Sequence, residues 1–370
     1  MSDVLVVGCG LLGTSVGLAL RGSELADVTV SDVDPHAERV AVGRGAGRAW
    51  DKVETARIVV VAVPPSSISV TLIELQGRDI GVTYTHVSSV QSHVQSEVEM
   101  LSSDSSQIVG GHPLAGREVS GPEGAIADLF VGRPWAVCPT PKAAAGAVED
   151  VVRLAALCGA LPVLTSPAEH DAAVALLSHL PQVVSSGLAG LLAEPSDDVA
   201  RLPAQLSGPG LADTTRLAAS SPALWSEILA ANAAHVAPPL RRLAANLEAL
   251  ADTLTQLAEE GSGSPDVSAR AEIEAFLHRG NLGRDQVPVK RGELSGAFAG
   301  VRVELADEPG QLAELFIAAG EAGVNVEDVR VEHVPGRPRG LIELLVEPGV
   351  EGGLREALRT AGWQVVSSTH

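Results

Sequence analysis

The sequence predicts an α/β protein in three parts. These are a Rossmann-type dinucleotide-binding domain over residues 1–166, an all-helical domain over 167–282 and, past a linker at 283–298, a ferredoxin-like βαββαβ unit over 299–370. Three observations predict it. An apolar run, Val4 to Val7, leads directly into Gly8-Cys9-Gly10-Leu11-Leu12-Gly13 and a helical pattern, and a GxGxxG at a strand-to-helix junction is far more specific than one met in isolation. From Pro167 the composition turns to long Ala/Leu segments with helical spacing. The final stretch alternates with the period of strands and is interrupted by two helical segments.

At 370 residues the chain is too long for one ordinary core. Acidic residues outnumber basic ones 46 to 26, for a formal charge of -20, and that balance repels nucleic acid and anionic membranes as partners. With 2% aromatic residues, the core must be built from Ala, Val and Leu packed closely with Gly. Three scattered cysteines argue against a disulfide framework or a metal site and point to a reducing cytoplasm. The opening MSDVLVVGCG carries Asp3 in place of a basic segment, and glycines soon break its apolar run. Neither a signal peptide nor a membrane span is expected.

Val4 to Val7, apolar without alternation, reads as a parallel strand buried on both faces. In the turn that follows, Gly8 permits the tight bend, Gly10 lets a pyrophosphate approach the backbone and Gly13 lets the helix pack on the strand. Leu11 and Leu12 open that helix, whose free N–H groups suit phosphates. A second run, Val28 to Val30, ends at Asp32, nineteen residues beyond Gly13. A carboxylate there accepts the ribose hydroxyls and repels a 2′-phosphate, so the cofactor reads as NAD rather than NADP. Ile58 to Val63 is another buried strand, ended by Pro64-Pro65, which puts Val63 and Pro64 at the cofactor edge.

His86 to Val90, HVSSV, reads as a strand end bringing polar groups to the same edge, with Ser88 and Ser89 equally suited to capping the next helix. The segment Val109 to Gly121, VGGHPLAGREVSG, holds the key candidate. His112, flanked by glycines and followed by proline, is expected on a shaped loop rather than in a regular element. Its imidazole suits taking a proton from an alcohol that becomes a ketone, with a structural histidine as the plainer alternative. Pro134 to Thr140 and Leu161 to Leu164 extend the sheet around a helix at Ala143 to Cys158.

His170 to Ala193 carries apolar residues at helical spacing, with Pro181 expected to disturb one turn. His179 and Gln182 are three apart and share a face, either as core polar groups or facing a substrate. Gly208 to Arg216 reads as a flexible loop ending in a solitary arginine suited to gripping a carboxylate. Ser221-Pro222 reads as N-cap and first helical residue, with Trp225 on the first turns. Leu240, Leu243, Leu247, Leu250, Leu254 and Leu257 form a stripe that is either a subunit seam or an internal core. Glu259 to Ser268 reads as a loop before a short helix at Ala269 to Arg279. The terminal unit has strands at Val301 to Leu305, Val324 to Val334, Gly340 to Val346 and Trp363 to Ser367, and helices at Gln311 to Ala319 and Leu354 to Ala361.

Jointly and in this order, GCGLLGTS at Gly8 to Ser15, SSV at Ser88 to Val90, GGHPLAG at Gly110 to Gly116, SHLPQ at Ser178 to Gln182, DTTR at Asp213 to Arg216 and SPALW at Ser221 to Trp225 resemble the TyrA family. These are the prephenate and arogenate dehydrogenases of tyrosine synthesis. The resemblance implies NAD-dependent oxidative decarboxylation of prephenate to 4-hydroxyphenylpyruvate and CO2, or of arogenate to tyrosine. It makes His112 the acceptor of the ring hydroxyl proton and Ser89 the group hydrogen-bonded to that hydroxyl and to the histidine. It makes Arg216 the clamp on the side-chain carboxylate, with Glu118 and Asp213 gating the pocket and His179, Gln182 and Trp225 in the substrate site. It makes the helical part a dimerisation domain, hence a homodimer. The terminal unit resembles an ACT domain, which binds amino acids, so Asp307, Gly310, Gly323 and Asn325 mark where an effector such as tyrosine would sit.

Two departures bear on specificity. The family often has an acidic residue and a lysine where this chain has His86 and Gln91, and the second histidine of SHLPH is Gln182, which leaves keto acid against amino acid open. A β-hydroxyacid dehydrogenase fits less well, since no lysine lies between Lys142 and Lys290 to serve on the helical domain. Retention of His112, Ser89 and Arg216 together argues against a non-catalytic NAD sensor.

Overall fold

The computed structural model describes residues 1–102, 104–117, 119–193, 208–260, 267–290, 293–294, 298–306, 308–333 and 339–366. They form two compact units, Met1–Leu243 and Ala244–His370.

The first unit is built on an eight-stranded sheet with strands β1 (Ser2–Val7), β2 (Val28–Ser31), β3 (Arg48–Ala49), β4 (Ala56–Val61), β5 (Gly81–His86), β6 (Ile108–Pro113), β7 (Pro134–Cys138) and β8 (Leu161–Leu164). Their order is β3-β2-β1-β4-β5-β6-β7-β8, and every neighbouring pair is parallel except the antiparallel β6 and β7. The order reverses between β1 and β4, which opens a ligand crevice at their carboxyl ends. Helices α1 (Leu11–Ala19), α2 (Pro35–Gly43), α3 (Ile68–Gly77), α4 (Ser92–Leu101) and α5 (Ala145–Leu157) supply the crossovers. Val4, Val6, Ile58 and Val60 enter one core with Phe130 and Leu154, while Leu5, Val59 and Val61 enter another with Leu72 and Tyr84. Successive side chains thus serve opposite faces, which is why these strands read as unbroken apolar runs.

His112 was expected on a loop and instead lies in β6. The two glycines before it are required by packing. A Cβ on Gly110 would fall 2.2 Å from Gln91 Oε1, and one on Gly111 would fall 2.8 Å from the His86 carbonyl oxygen and 3.0 Å from Trp135 Nε1. Pairing with β5 stops at Gly110 while pairing with β7 runs on to Pro113. The strand therefore has a neighbour on one flank only at its final three residues, where proline is tolerated. Gly111→Ala is expected to lower stability by about 1–3 kcal/mol through overpacking against backbone, read as a lower denaturant midpoint; an unchanged midpoint would remove this account of the glycine.

Ser166 caps α6 (Pro167–Val174) in a capping box with Glu169, and α6 continues through a π-helical turn, Ala175–His179, into α7 (Leu180–Ala193). The wide turn lies just before Pro181, whose missing N–H interrupts the regular ladder as expected. By length and composition this run could cross a membrane, and 28% of its apolar window is buried; the buried positions of the run include the polar His170, Asp171, His179 and Gln182. Residues 208–216 are not a loop: Gly208 precedes α8 (Pro209–Thr215), and Arg216–Ala219 make one 3₁₀ turn. Pro209 at the first helical position favours the helix. Ser221 caps α9 (Pro222–Ala231) as expected, accepting from the Leu224 N–H. The helix α10 (Ala233–Glu260) carries the leucine stripe, and Leu247 and Leu254 are each 49% exposed, so the internal-core alternative does not hold for those two.

In the second unit α11 (Val267–Arg284) runs further than expected, and β9 (Pro288–Lys290) pairs with β10 (Glu293–Leu294) inside the stretch read as linker. The terminal elements are β11 (Ala299–Ala306), α12 (Gln311–Glu321), β12 (Val326–His333), β13 (Arg339–Val346), α13 (Glu351–Thr360) and β14 (Gln364–Val366). They form an antiparallel sheet of order β12-β13-β11-β14 in the βαββαβ sequence. Val301, Val303 and Leu305 alternate inward from β11 onto Leu315, Leu354 and Leu358.

Candidate active site

The first half of the site is the crevice at β1 and β4. Gly8 has φ +103, and a Cβ there would lie 2.4 Å from the Ala62 carbonyl oxygen. A Cβ on Gly13 would lie 1.9 Å from the Gly8 oxygen, whereas one on Gly10 would meet nothing within 4 Å. Packing thus requires the outer glycines, while the middle one leaves open space at the uncapped amino terminus of α1, begun by Leu11 and Leu12. That arrangement fits a pyrophosphate. Asp32 follows β2 and is pinned beside the turn, its Oδ2 accepting from Cys9 N at 2.6 Å and Oδ1 from Asp34 N at 2.8 Å. Val63 and Pro64 leave β4 across the crevice, with Val63 N 2.9 Å from the Cβ position of Gly8.

The second half is a chain of histidines ending on one carboxylate. His112 Nδ1 lies 2.9 Å from His170 Nε2, and His170 Nδ1 lies 2.8 Å from Asp171 Oδ1. Asp171 also accepts the N–H of Gln91 at 2.8 Å and of Ser92 at 2.7 Å. It therefore performs the helix-capping task at α4 expected of Ser88 or Ser89. Asn232 then ties the network together, its Nδ2 donating to the Asp171 carbonyl at 2.8 Å and lying 3.1 Å from His179 Nδ1. The His179 ring meets Trp225 edge-on at 5.9 Å between centroids.

Burial sets the ionisation here. It pushes His112 down to about 3, aided by the neighbouring His170 and His179 and opposed by Asp171. It pushes His86 down to about 4, again aided by His170, and lowers His179 as well. For Asp171 burial acts upward, but the His170 hydrogen bond and the two backbone donors hold the carboxyl below its ordinary range. His86, His112 and His179, each held below the ordinary imidazole range near one anion, make a setting for proton transfer.

Ser89 lines a small cavity with Pro65, His93 and Ile228, and no hydrogen bond joins it to His112. The partner of His112 is His170. Gln182 Nε2 donates to the Leu217 carbonyl at 2.9 Å and Ser185 Oγ accepts from Ala218 N at 3.1 Å, which holds the 3₁₀ turn bearing Arg216 against α7. Arg216 and Asp213 themselves are exposed. Glu118 and Asp307 lie outside the described residues. Gly310 and Gly323 have φ +94 and +71, so both turns favour glycine, and Asn325 Nδ2 donates to Glu327. The register places Ala306, ahead of Gly310, beside Arg339, while Val326, after Asn325, lies beside Val346. These two predicted halves of an effector site are at opposite ends of the sheet.

His170, Asp171 and Asn232 were not anticipated. The available signal was the adjacent His-Asp pair inside an Ala-rich helix, three residues beyond its proline start.

A glycine turn at the switch point of a parallel sheet, coupled to helices that carry an imidazole chain to the same edge, defines a two-part dinucleotide-dependent dehydrogenase. Residues 16–164 match the family model for the prephenate dehydrogenase nucleotide-binding domain, and residues 166–262 match that for the prephenate dehydrogenase dimerization domain. The chain belongs to the prephenate dehydrogenase family. It is 35% identical over 368 residues to the probable prephenate dehydrogenase NovF of Streptomyces niveus, covering 98% of this chain and 99% of that one. Among solved structures it is similar to Aquifex aeolicus prephenate dehydrogenase in complex with hydroxyphenyl propionate and NAD+, at TM-score 0.65 and 27% identity, covering 77% of this chain and 97% of that one. It is likewise similar to Synechocystis arogenate dehydrogenase, at TM-score 0.63 and 27% identity, covering 77% and 99%.

Proposed function

We propose that this protein is an NAD-dependent prephenate dehydrogenase that converts prephenate to 4-hydroxyphenylpyruvate and CO2. The observation that carries the reading is His112, at the end of β6 and joined to a buried carboxylate through His170. When bound, NAD+ supplies the acceptor for the hydride. His112 takes the ring hydroxyl proton, with Ser89 on the neighbouring loop hydrogen-bonding the same hydroxyl. Arg216 grips the side-chain carboxylate, His179 and Trp225 wall the ring, and Asp213 acts at the pocket mouth, a gating role that the family resemblance also implies for Glu118. Loss of CO2 makes the ring aromatic, so the protein need only orient its substrate and accept one proton. Appearance of NADH on adding prephenate and NAD+ tests the reading, and its absence would sink it.

One observation favours arogenate as a second substrate. Gln182 Oε1 is buried without a hydrogen-bond partner among the described residues, which suits an ammonium donor. Comparing kcat/KM for the two compounds, in the wild type and in Gln182→His, decides between them. Arg216→Ala is expected to raise KM by roughly 10–100-fold, the worth of one or two charge-assisted hydrogen bonds, while kcat stays within a few-fold. A kcat loss at unchanged KM would take Arg216 out of ground-state binding.

The exposed leucines of α10 support a homodimer, to be measured by light scattering, and the protein is assigned to the cytoplasm. The terminal unit is proposed as an ACT domain for an amino-acid effector such as tyrosine. The eight residues of β11 span roughly 26 Å, so within one copy a single amino acid can engage the Gly310 turn or the Asn325 end but not both.

A further inference from the structure

We infer that His170 and Asp171 are positioning residues that fix the tautomer of His112 and receive the charge it acquires. The inference rests on the reading of His112 as proton acceptor. An ionised carboxylate has no proton to give, so across 2.8 Å His170 Nδ1 must donate to Asp171 Oδ1. With its single ring proton placed there, His170 presents a bare Nε2, and across 2.9 Å His112 Nδ1 donates to it. His112 is left with its lone pair on Nε2. One carboxylate thereby sets the protonation pattern of two imidazoles in series.

The same geometry solves a difficulty in the chemistry. The groups facing His112 are His86 from β5, His170 and Asp171 from α6, and His179 from the π-helical turn. Three of these four are imidazoles, a poor surrounding for a positive charge. The substrate O–H bond breaks as His112 Nε2–H forms. The His112 Nδ1–H bond then breaks as His170 Nε2–H forms. The charge comes to rest on His170, in contact with Asp171, which stays ionised throughout. After turnover His170 returns its proton to His112 Nδ1 as the Nε2 proton leaves to solvent.

The test uses the full chain with nitrogen-15-labelled histidine, read by long-range proton–nitrogen correlation at about pH 8, above the ordinary imidazole range. The wild type is expected to show His112 protonated on Nδ1 alone. His170→Phe removes the acceptor. It should shift His112 toward the Nε2–H form, lower kcat by about 10²–10³-fold, move the acid limb of the kcat profile and leave KM within about twofold. His170→Gln keeps an acceptor but cannot carry a proton, so it should restore the tautomer without restoring kcat. Because Asp171 also caps α4, its replacement threatens folding, and the His170 variants avoid that. An Nε2–H His112 in the wild type, or an unchanged tautomer in His170→Phe, overturns the positioning role; full turnover in His170→Gln overturns the proton shift. Failure of the functional reading would instead appear as an active His112→Asn, with the tautomers unaffected.

Discussion

His112→Asn is expected to lower kcat by about 10²–10⁴-fold, the range for removing a general base, with little change in KM or in NAD affinity. Asparagine keeps a polar group of similar size in β6, whose pairing with Ala136 is a backbone matter. The Gly8 to Gly13 turn and Asp32 are separate from that side chain, so the cofactor half should survive intact. The loss should be concentrated in turnover, because the imidazole interacts with a proton that moves only in the transition state. Steady-state rates of NADH formation check it, alongside titration of NAD into both proteins. Turnover at the wild-type rate would remove His112 from the chemistry.

The chain is also expected to lose stability steeply as pH falls from about 6.5 toward 4. His112 and His86 are held neutral down to about 3 and about 4 in the folded state, while in the unfolded chain both titrate near 6.5. Between those limits the unfolded state binds two protons that the folded state refuses. Stability therefore rises with pH, by about 1.4 kcal/mol per pH unit for each group and about 2.7 together. This contribution is fully present above about 6.5. Asp171, held below its ordinary range, loses its own contribution further down, as pH falls through the carboxylate range. Urea midpoints at about pH 7.5, 5.5 and 4.5 measure the effect; His179, also lowered, adds in the same direction, and His86→Gln should remove about half of the slope that His86 and His112 supply together. A stability flat across this interval would mean that the two rings are not held neutral.

Local chemistry carried much of this protein into plain view. Gly8, Gly10 and Gly13 between β1 and α1, and Asp32 after β2, could be read because one short segment contains the strand, turn and helix start that a dinucleotide requires. Ser221-Pro222 was equally readable, since a cap acts within four residues. Other features were misread for a common reason. Gly110 and Gly111 look like loop residues until Gln91, His86 and Trp135 are seen pressed against them, and those neighbours lie at least nineteen residues away in the chain. Ser88 and Ser89 look like caps, yet the cap of α4 is Asp171, from a helix about eighty residues later.

By itself the sequence determined the nucleotide half and the order of the terminal βαββαβ unit, both through interactions between residues close in the chain, and it singled out His112 as a candidate. Only the tertiary structure decided that His112 presents Nδ1 to His170 Nε2. That depends on a hydrogen-bonded series from β6 to α6, where His170 and Asp171 acquire their roles from distance and burial rather than from spacing.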